Sequence, residues 1–157
     1  MAIAMFSMVV AQAQDKADIT KSLDCASKLQ TLCDAYPAES GNAVVDAYGK
    51  ALHDVSVAAI ASNKKLAELY DAVKAAKNEK AKADVLEQVI NYGLGIASEG
   101  VDAQNAIAQA QKAAAAANTD KAKAIIEFGN KVTPLLLEGN ATKAKVVRET
   151  VRALNNK

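Results

Sequence analysis

The fold is decided by residues 43–76, which read AVVDAYGKALHDVSVAAIASNKKLAELYDAVKAA. Apolar or small residues recur there in alternating steps of three and four: Val45, Tyr48, Leu52, Val55, Ala59, Ser62, Leu66, Leu69 and Val73. This spacing is a heptad seam, which is typical of an α-helix that packs one face against neighbouring helices. We therefore predict one helix over residues 43–76, with Ser62-Asn63 as the alternative point of division into two.

A shorter helix is predicted ahead of this stretch, from Asp18 to Tyr36. Pro37 ends it, because the residue before a proline is pushed out of the α region. Asn42 follows the loop and suits a helix cap, since its side chain can accept hydrogen bonds from free backbone N–H groups. The apolar side of the first helix is expected to comprise Ile19, Leu23, Ala26, Leu29, Leu32, Cys33 and Tyr36.

The same stepping resumes after Asn78-Glu79, but its seam residues are small. They are Leu86, Val89, Gly93, Ile96, Gly100, Ala103, Ile107, Ala110, Ala114 and Ala117. Each glycine destabilises a helix by roughly 1 kcal/mol relative to alanine, so these glycines need a reason. Either a neighbouring helix approaches closely, or segment 79–117 breaks at 98–100 with a glycine after the helix end. We favour the break.

The last segment begins at the capping residues Asn118-Thr119-Asp120. Pro134 is predicted to kink it, because proline removes one backbone donor and clashes with the preceding turn. Glu138-Gly139-Asn140 is predicted to form a turn, followed by a closing helix over 142–154. The expected inward positions before the turn are Ala122, Ile125, Ile126, Gly129, Val132, Leu135 and Leu136.

Composition supports a wholly helical fold. Alanine, the best helix former, supplies 35 of 157 residues, while the chain holds two Pro, two Phe and no Trp. No strand-like alternation bounded by turn residues is present. We predict an all-α, antiparallel helical bundle of four to six helices. An irregular α-α repeat stack is the alternative, since three segments begin with similar Lys-Ala runs, although their spacings are not periodic.

The N-terminal residues predict export. Residues 1–13 carry no charge, are mostly apolar and end in Ala11-Gln12-Ala13, before the polar run that starts at Gln14. An apolar run followed by small residues at this spacing is typical of a secretory signal peptide. We predict a signal peptide at 1–13 and a single domain at 14–157, either periplasmic or secreted. An uncleaved apolar helix is the alternative, because the first basic residue, Lys16, follows the predicted cleavage point.

Charge is nearly balanced overall but unevenly placed. The net charge of +1 argues against nucleic-acid binding, which usually requires a basic excess. Residues 1–120 hold 11 basic and 15 acidic side chains, whereas residues 121–157 hold 8 and 3. A basic C-terminal helix can simply pack against acidic neighbours and suit its own dipole. The alternative is peripheral contact of residues 143–157 with a membrane or another anionic surface.

No catalytic, cofactor-binding or metal-binding residues are predicted. His53 is the single histidine, and the helical His-Glu-x-x-His and haem-attaching Cys-x-x-Cys-His patterns are absent. Cys25 and Cys33 are eight residues apart on one predicted helix, which separates their Cα atoms by ~12 Å. A disulfide cannot span that distance, so we expect two buried free thiols. A bridge between chains is the second interpretation.

These features predict a non-enzymatic, exported helical bundle that acts through surface interaction with an unknown protein partner or through self-association. The alternative is a small helical module that binds an apolar ligand or lipid. The alternative requires a pocket of a few hundred Å³ lined by apolar groups and a few polar ones. Such a pocket would lie where large and small residues meet, near Tyr36, Tyr48, Tyr92 or Phe128.

Overall fold

Five α-helices make up the computed structural model, which describes residues 2–155 and the side chains of residues 16–155. They are α1 (Ala2–Asp34), α2 (Ala43–Ala75), α3 (Glu79–Ile107), α4 (Ala110–Ala116) and α5 (Asp120–Asn155). No strand occurs among the described residues, which confirms the predicted all-α class. Four of the helices are long, and α4 is a short helix that packs on α2 and α5.

The four long helices form an antiparallel bundle. Ser22 of α1 meets Asn63 in the second half of α2, whereas Tyr36, just beyond α1, lies against Gly49 near the start of α2. The same reversal relates α2 to α3, α3 to α5 and α5 to α1, and α2 also touches α5 across the bundle. The predicted bundle is therefore confirmed, with α2 and α5 as its central pair.

The starts of α2 and α3 follow local capping signals. Asn42 Oδ1 accepts hydrogen bonds from the backbone N–H groups of Val44 and Val45, at 3.1 and 3.3 Å. Asn78 caps α3 in the same manner. Beyond its cap, α2 runs unbroken to Ala75, so the prediction of a single helix over this stretch is confirmed.

Both helix breaks that were predicted at glycine are wrong. α3 continues through residues 98–100, and α5 continues through residues 138–140. A Cβ atom added at Gly100 would lie 2.5 Å from Nδ2 of Asn140, and one added at Gly139 would meet atoms of α1 and α2 within 3.5 Å. These glycines therefore permit close helix approach and do not mark turns. The chain breaks later, between Ile107 and Ala110.

The buried faces differ from the predicted seams at several positions. Leu23 of α1 is 42% exposed, whereas Ser22 is fully buried. In α4 the buried residue is Ala113 and the expected Ala114 is exposed. The spacing predicted Leu23 in the core because serine was treated as a surface residue. A serine hydroxyl can be buried when it is hydrogen-bonded, as that of Ser22 is. Leu86 is likewise only half-buried.

The predicted signal peptide falls where the structure describes no side chains. Residues 1–13 belong to that part of the chain, so cleavage after Ala13 stays a prediction. Within the described residues, no helix has both the length and the apolar character that crossing a bilayer requires.

Candidate functional site

An open groove runs between α2 and α3 on the surface of the bundle, and we call it the α2/α3 groove. Its volume is about 750 Å³, within the range of roughly 300–1,000 Å³ that is usual for ligand pockets. Its walls are mostly apolar, and several of their side chains are small. The apolar and small lining residues are Val55, Ala58, Ala61, Tyr92, Gly95 and Ile96.

Gly95 widens this groove on the α3 side. A Cβ atom added at Gly95 would meet no heavy atom within 4 Å, so none of the described neighbours requires a glycine there. Two residues earlier, a Cβ added at Gly93 would lie 3.0 Å from Cγ1 of Val147 in α5. The space beside Gly95 is thus open to solvent, while the position beside Gly93 is limited by the Val147 side chain of a neighbouring helix.

A buried ion pair lies beneath the groove. The ammonium group of Lys143, on α5, is fully buried and donates to Ser62 Oγ at 2.6 Å and to Glu99 Oε1. The Glu99 side chain is 12% exposed and lines the groove together with Ser62. Burial lowers the pKa of Lys143, because desolvation disfavours the charged ammonium, and the Glu99 carboxylate opposes that shift.

The ion pair belongs to a polar layer to which every long helix contributes. Ser22 of α1 donates to Asn63 Oδ1 at 2.6 Å, and the Asn63 amide donates to the Ala59 carbonyl at 2.7 Å. Tyr92 of α3 donates its hydroxyl hydrogen to the Ser62 carbonyl at 2.7 Å. These hydrogen bonds offset the loss of water contacts that burial of the named side chains causes.

Sequence reasoning missed Lys143 and Glu99, although their spacing carries the signal. Each has a buried residue three positions away on one side and four positions away on the other. Two charged residues of opposite sign beside the buried faces of different helices indicate a buried pair, since an unpaired charge in a core is strongly unfavourable. The chain has many oppositely charged residues at helical spacing on its exposed faces, so these two charged residues were taken for further surface residues.

The aromatic residues near which a pocket was expected separate into two groups. Tyr92 lines the α2/α3 groove. Tyr48 and Phe128 are buried in the core, and the Tyr36 ring packs edge-on against Phe128 with centroids 4.9 Å apart. His53 lies beside Tyr36 at a centroid distance of 4.7 Å. The expectation is therefore met at Tyr92, while the other three aromatic rings fill space between helices.

The potential metal ligands and the two thiols were located among the described residues. Among the described residues, no three His, Cys, Asp or Glu side chains come together as metal ligands could. Cys25 and Cys33 are buried free thiols, as the helix rise predicts. Burial raises the pKa of both thiols, which makes them weak nucleophiles at neutral pH.

The basic C-terminal stretch 143–157 offers a partner less charge than its sequence indicates. Lys143 is engaged inside the bundle, and the ammonium group of Lys145 lies 2.6 Å from the Asp18 carboxylate. These contacts agree with a basic helix that packs against acidic neighbours. The basic side chains that remain exposed in the described part of this stretch are Arg148 and Arg152.

A second, smaller groove of about 370 Å³ lies between α3 and α5. Ile90 and Leu94 line it and are 46% and 68% exposed. Val101, 56% exposed, continues the same face of α3 beyond this groove. The outer face of α3 is thus an exposed apolar stripe, distinct from the α2/α3 groove on its other side.

No family model matches this chain, and no curated protein and no solved structure matches it either.

Proposed function

We propose that this protein is a non-enzymatic binding protein that holds an apolar ligand in the α2/α3 groove. The observation that supports this most is the groove itself, with its volume of about 750 Å³ and its largely apolar walls. A few polar groups, among them Ser62 and Glu99, interrupt those walls, as is usual in sites for small apolar molecules. Gly95 adds support, because a mid-helix glycine with no packing partner keeps open a space that a ligand could fill.

The contact between Ser62 and Lys143 does not favour hydrolysis. A serine can act as a nucleophile when an adjacent neutral lysine accepts its proton. Here the Lys143 ammonium is engaged by the Glu99 carboxylate, and Ser62 directs its own hydroxyl hydrogen to the Ala59 carbonyl at 3.1 Å. Ser62 also lies inside a helix, where backbone N–H groups are already bonded and cannot stabilise an oxyanion. The geometry therefore favours binding over catalysis.

Export forms the second part of the proposal. It rests on the uncharged apolar run of residues 1–13 and its end at Ala11-Gln12-Ala13. We expect N-terminal sequencing of the protein recovered outside the cytoplasm to begin at Gln14. Recovery with Met1 retained would contradict cleavage at this point.

Ligand binding is tested by native purification followed by mass spectrometry. We expect a small apolar molecule to accompany the parent protein and to be lost from Gly95→Leu, whose side chain would start from a position with no heavy atom within 4 Å of its Cβ and would extend into the groove. Gln104→Leu is the matched control, because it adds the same side chain to an exposed position on the opposite side of α3. A parent protein that carries no small molecule, and a Gly95→Leu variant that retains one, would each overturn the proposal.

Self-association is a second candidate function, favoured by the apolar stripe of Ile90, Leu94 and Val101. Exposed apolar residues that share one helix face are typical of a surface that another chain covers. Analytical ultracentrifugation of the parent should then show a dimer that Leu94→Glu dissociates. A parent that remains monomeric at high micromolar concentration would exclude this candidate.

A further inference from the structure

We infer that the ligand of the α2/α3 groove is a cationic amphiphile, an apolar chain that ends in an amine or quaternary ammonium group. This inference rests on the proposed function and adds to it the chemistry of the ligand's head group. It is carried by the balance of charge along the groove.

Most charges at the groove are already neutralised by a partner. Glu99 is paired with the buried Lys143. Lys65, at the rim, lies 2.7 Å from Glu68 on the next turn of α2. Asp102 also lines the groove, and no ion pair or hydrogen bond joins its carboxylate to another described residue. The groove therefore retains one uncompensated negative charge, at Asp102.

Asp102 lies where the apolar groove continues toward the α4 end of the bundle. The continuation has a volume of about 380 Å³, and Asp102 lines both parts. Asp54 lines the continuation from α2, but its carboxylate is paired with the ammonium group of Lys50, so Asp102 remains the unpaired carboxylate of this stretch. From Asp102 back to Tyr92 the groove follows ten residues of α3, a distance of roughly 15 Å at helical rise. An apolar chain can lie along that length while its head group stays beside Asp102.

The same charges disfavour other head groups. An anionic head placed at this point would face the unpaired carboxylate of Asp102, and the cation at the rim, Lys65, is already engaged by Glu68. A neutral head would gain nothing from the carboxylate. A cationic head would be attracted by it, and the attraction would weaken as salt screens the exposed charge. The Tyr92 ring adds an aromatic wall to the site, but it lies at the opposite end from the head group.

Three probes of equal chain length separate these cases: dodecylamine, dodecanol and dodecanoate. Calorimetric titrations keep the two ionic probes below their micelle concentrations and dodecanol below its solubility limit. We expect dodecylamine to bind about three- to fivefold more tightly than dodecanol, which is the usual strength of an exposed charge pair. Dodecanoate should bind more weakly than both. The preference for the amine should shrink at high salt.

Two carboxylate variants test the assigned position. Asp102→Asn should abolish the preference for dodecylamine over dodecanol. Asp84→Asn is the matched control, since it removes an exposed carboxylate from α3 outside the groove and should keep the preference. Equal binding of amine and alcohol by the parent, or tighter binding of dodecanoate, would overturn the cationic head group. So would an amine preference that survives Asp102→Asn.

Gly95→Leu distinguishes this failure from failure of the proposed function. If the parent binds all three probes alike and Gly95→Leu weakens all three, the groove binds apolar chains and only the head-group inference falls. If no probe binds the parent, or Gly95→Leu leaves all three affinities unchanged, the groove is not the ligand site and both proposals fall.

Discussion

The two sides of α3 use glycine in opposite ways. On the side that faces α5, Gly93 and Gly100 are covered by side chains of α5, so that an added Cβ would lie at 3.0 Å or closer to them. On the side that faces α2, Gly95 has no heavy atom within 4 Å of that position. Three glycines within eight residues thus carry the same loss of helix propensity. Whether a helix occupies the space in front of them decides what each one does.

The comparison shows that a packed contact and an open groove can share one helix. At Gly93 and Gly100 small residues let α3 and α5 approach closely beside the smaller groove, whereas the α2/α3 contact stays open above a polar floor of Ser62 and Glu99. A substitution that adds volume should therefore have opposite consequences on the two sides. The following predictions test this difference, in order of decreasing effect.

The largest effect is expected for the ion pair that joins α3 to α5. Glu99→Leu should lower the free energy of unfolding by about 3–5 kcal/mol, because it leaves the Lys143 ammonium buried without its partner. Lys143→Met should be milder, since the Glu99 carboxylate borders the groove and can reach water. Urea unfolding of both variants and of the double variant measures the coupling. A double variant as unstable as Glu99→Leu would contradict this account.

The next largest effect is expected when leucine replaces the covered glycines of α3, in contrast to the open one. Gly100→Leu and Gly93→Leu should each lower stability by about 1–3 kcal/mol, because the α5 side chains opposite them must move. Gly95→Leu should not destabilise the protein, since it meets open space. Thermal melts of the three variants provide the comparison. A Gly93→Leu variant as stable as the parent would rule out close packing at that position.

The contribution of Tyr92 to the stability of the protein should depend on pH. Tyr92→Phe should lower stability at pH 7 by about 0.5–1.5 kcal/mol, because it removes the hydrogen bond to the Ser62 carbonyl. Burial, and secondarily the Glu99 carboxylate, raise the pKa of the Tyr92 hydroxyl. The unfolded chain therefore releases this proton first, and the contribution of Tyr92 to stability falls as pH rises above about 10.

The difference between parent and Tyr92→Phe should consequently narrow between pH 9 and pH 11. Urea unfolding across that range measures it, and the other titrating groups largely cancel because both proteins contain them. A difference that stays constant or widens would show that the Tyr92 hydroxyl does not titrate as its burial predicts.

The smallest effect is a gain. Gly95→Ala should raise stability by about 0.5–1 kcal/mol, because alanine restricts the unfolded chain and favours the helix while meeting no neighbour. Gly100→Ala, by contrast, requires the Asn140 amide to move, so it should gain less or lose stability. Chemical denaturation resolves differences of this size. If Gly95→Ala lost as much stability as Gly100→Ala, the two sides of α3 would not differ in packing as described.

Most of the helix pattern was predictable because it depends on short-range interactions. Asn42 and Asn78 cap helices through their own side chains, and the long seam of α2 requires no knowledge of its partners. The two wrong breaks, at 98–100 and 138–140, concern glycines that face other helices in the interior. A glycine in a turn and a glycine at a close contact look the same in sequence, since both positions require the absence of a side chain.

The candidate site was predictable only in part. Tyr92 was among the aromatic residues expected near a pocket, and its exposure to the groove agrees with that expectation. Lys143 and Glu99 are 44 residues apart and form a pair only because α3 and α5 bring their seams together. No local signal specifies which residue faces which across two helices.

The sequence by itself determined that this chain is helical, where most of its helices begin, and that its two cysteines are too far apart along one helix for a disulfide. These properties follow from backbone propensity, capping and helix rise, which act within a few residues. Tertiary structure alone decided that Gly93 and Gly100 are covered, that Gly95 is open and that Lys143 is buried against Glu99. The reason is that burial and electrostatic pairing depend on which side chains other helices bring to a position.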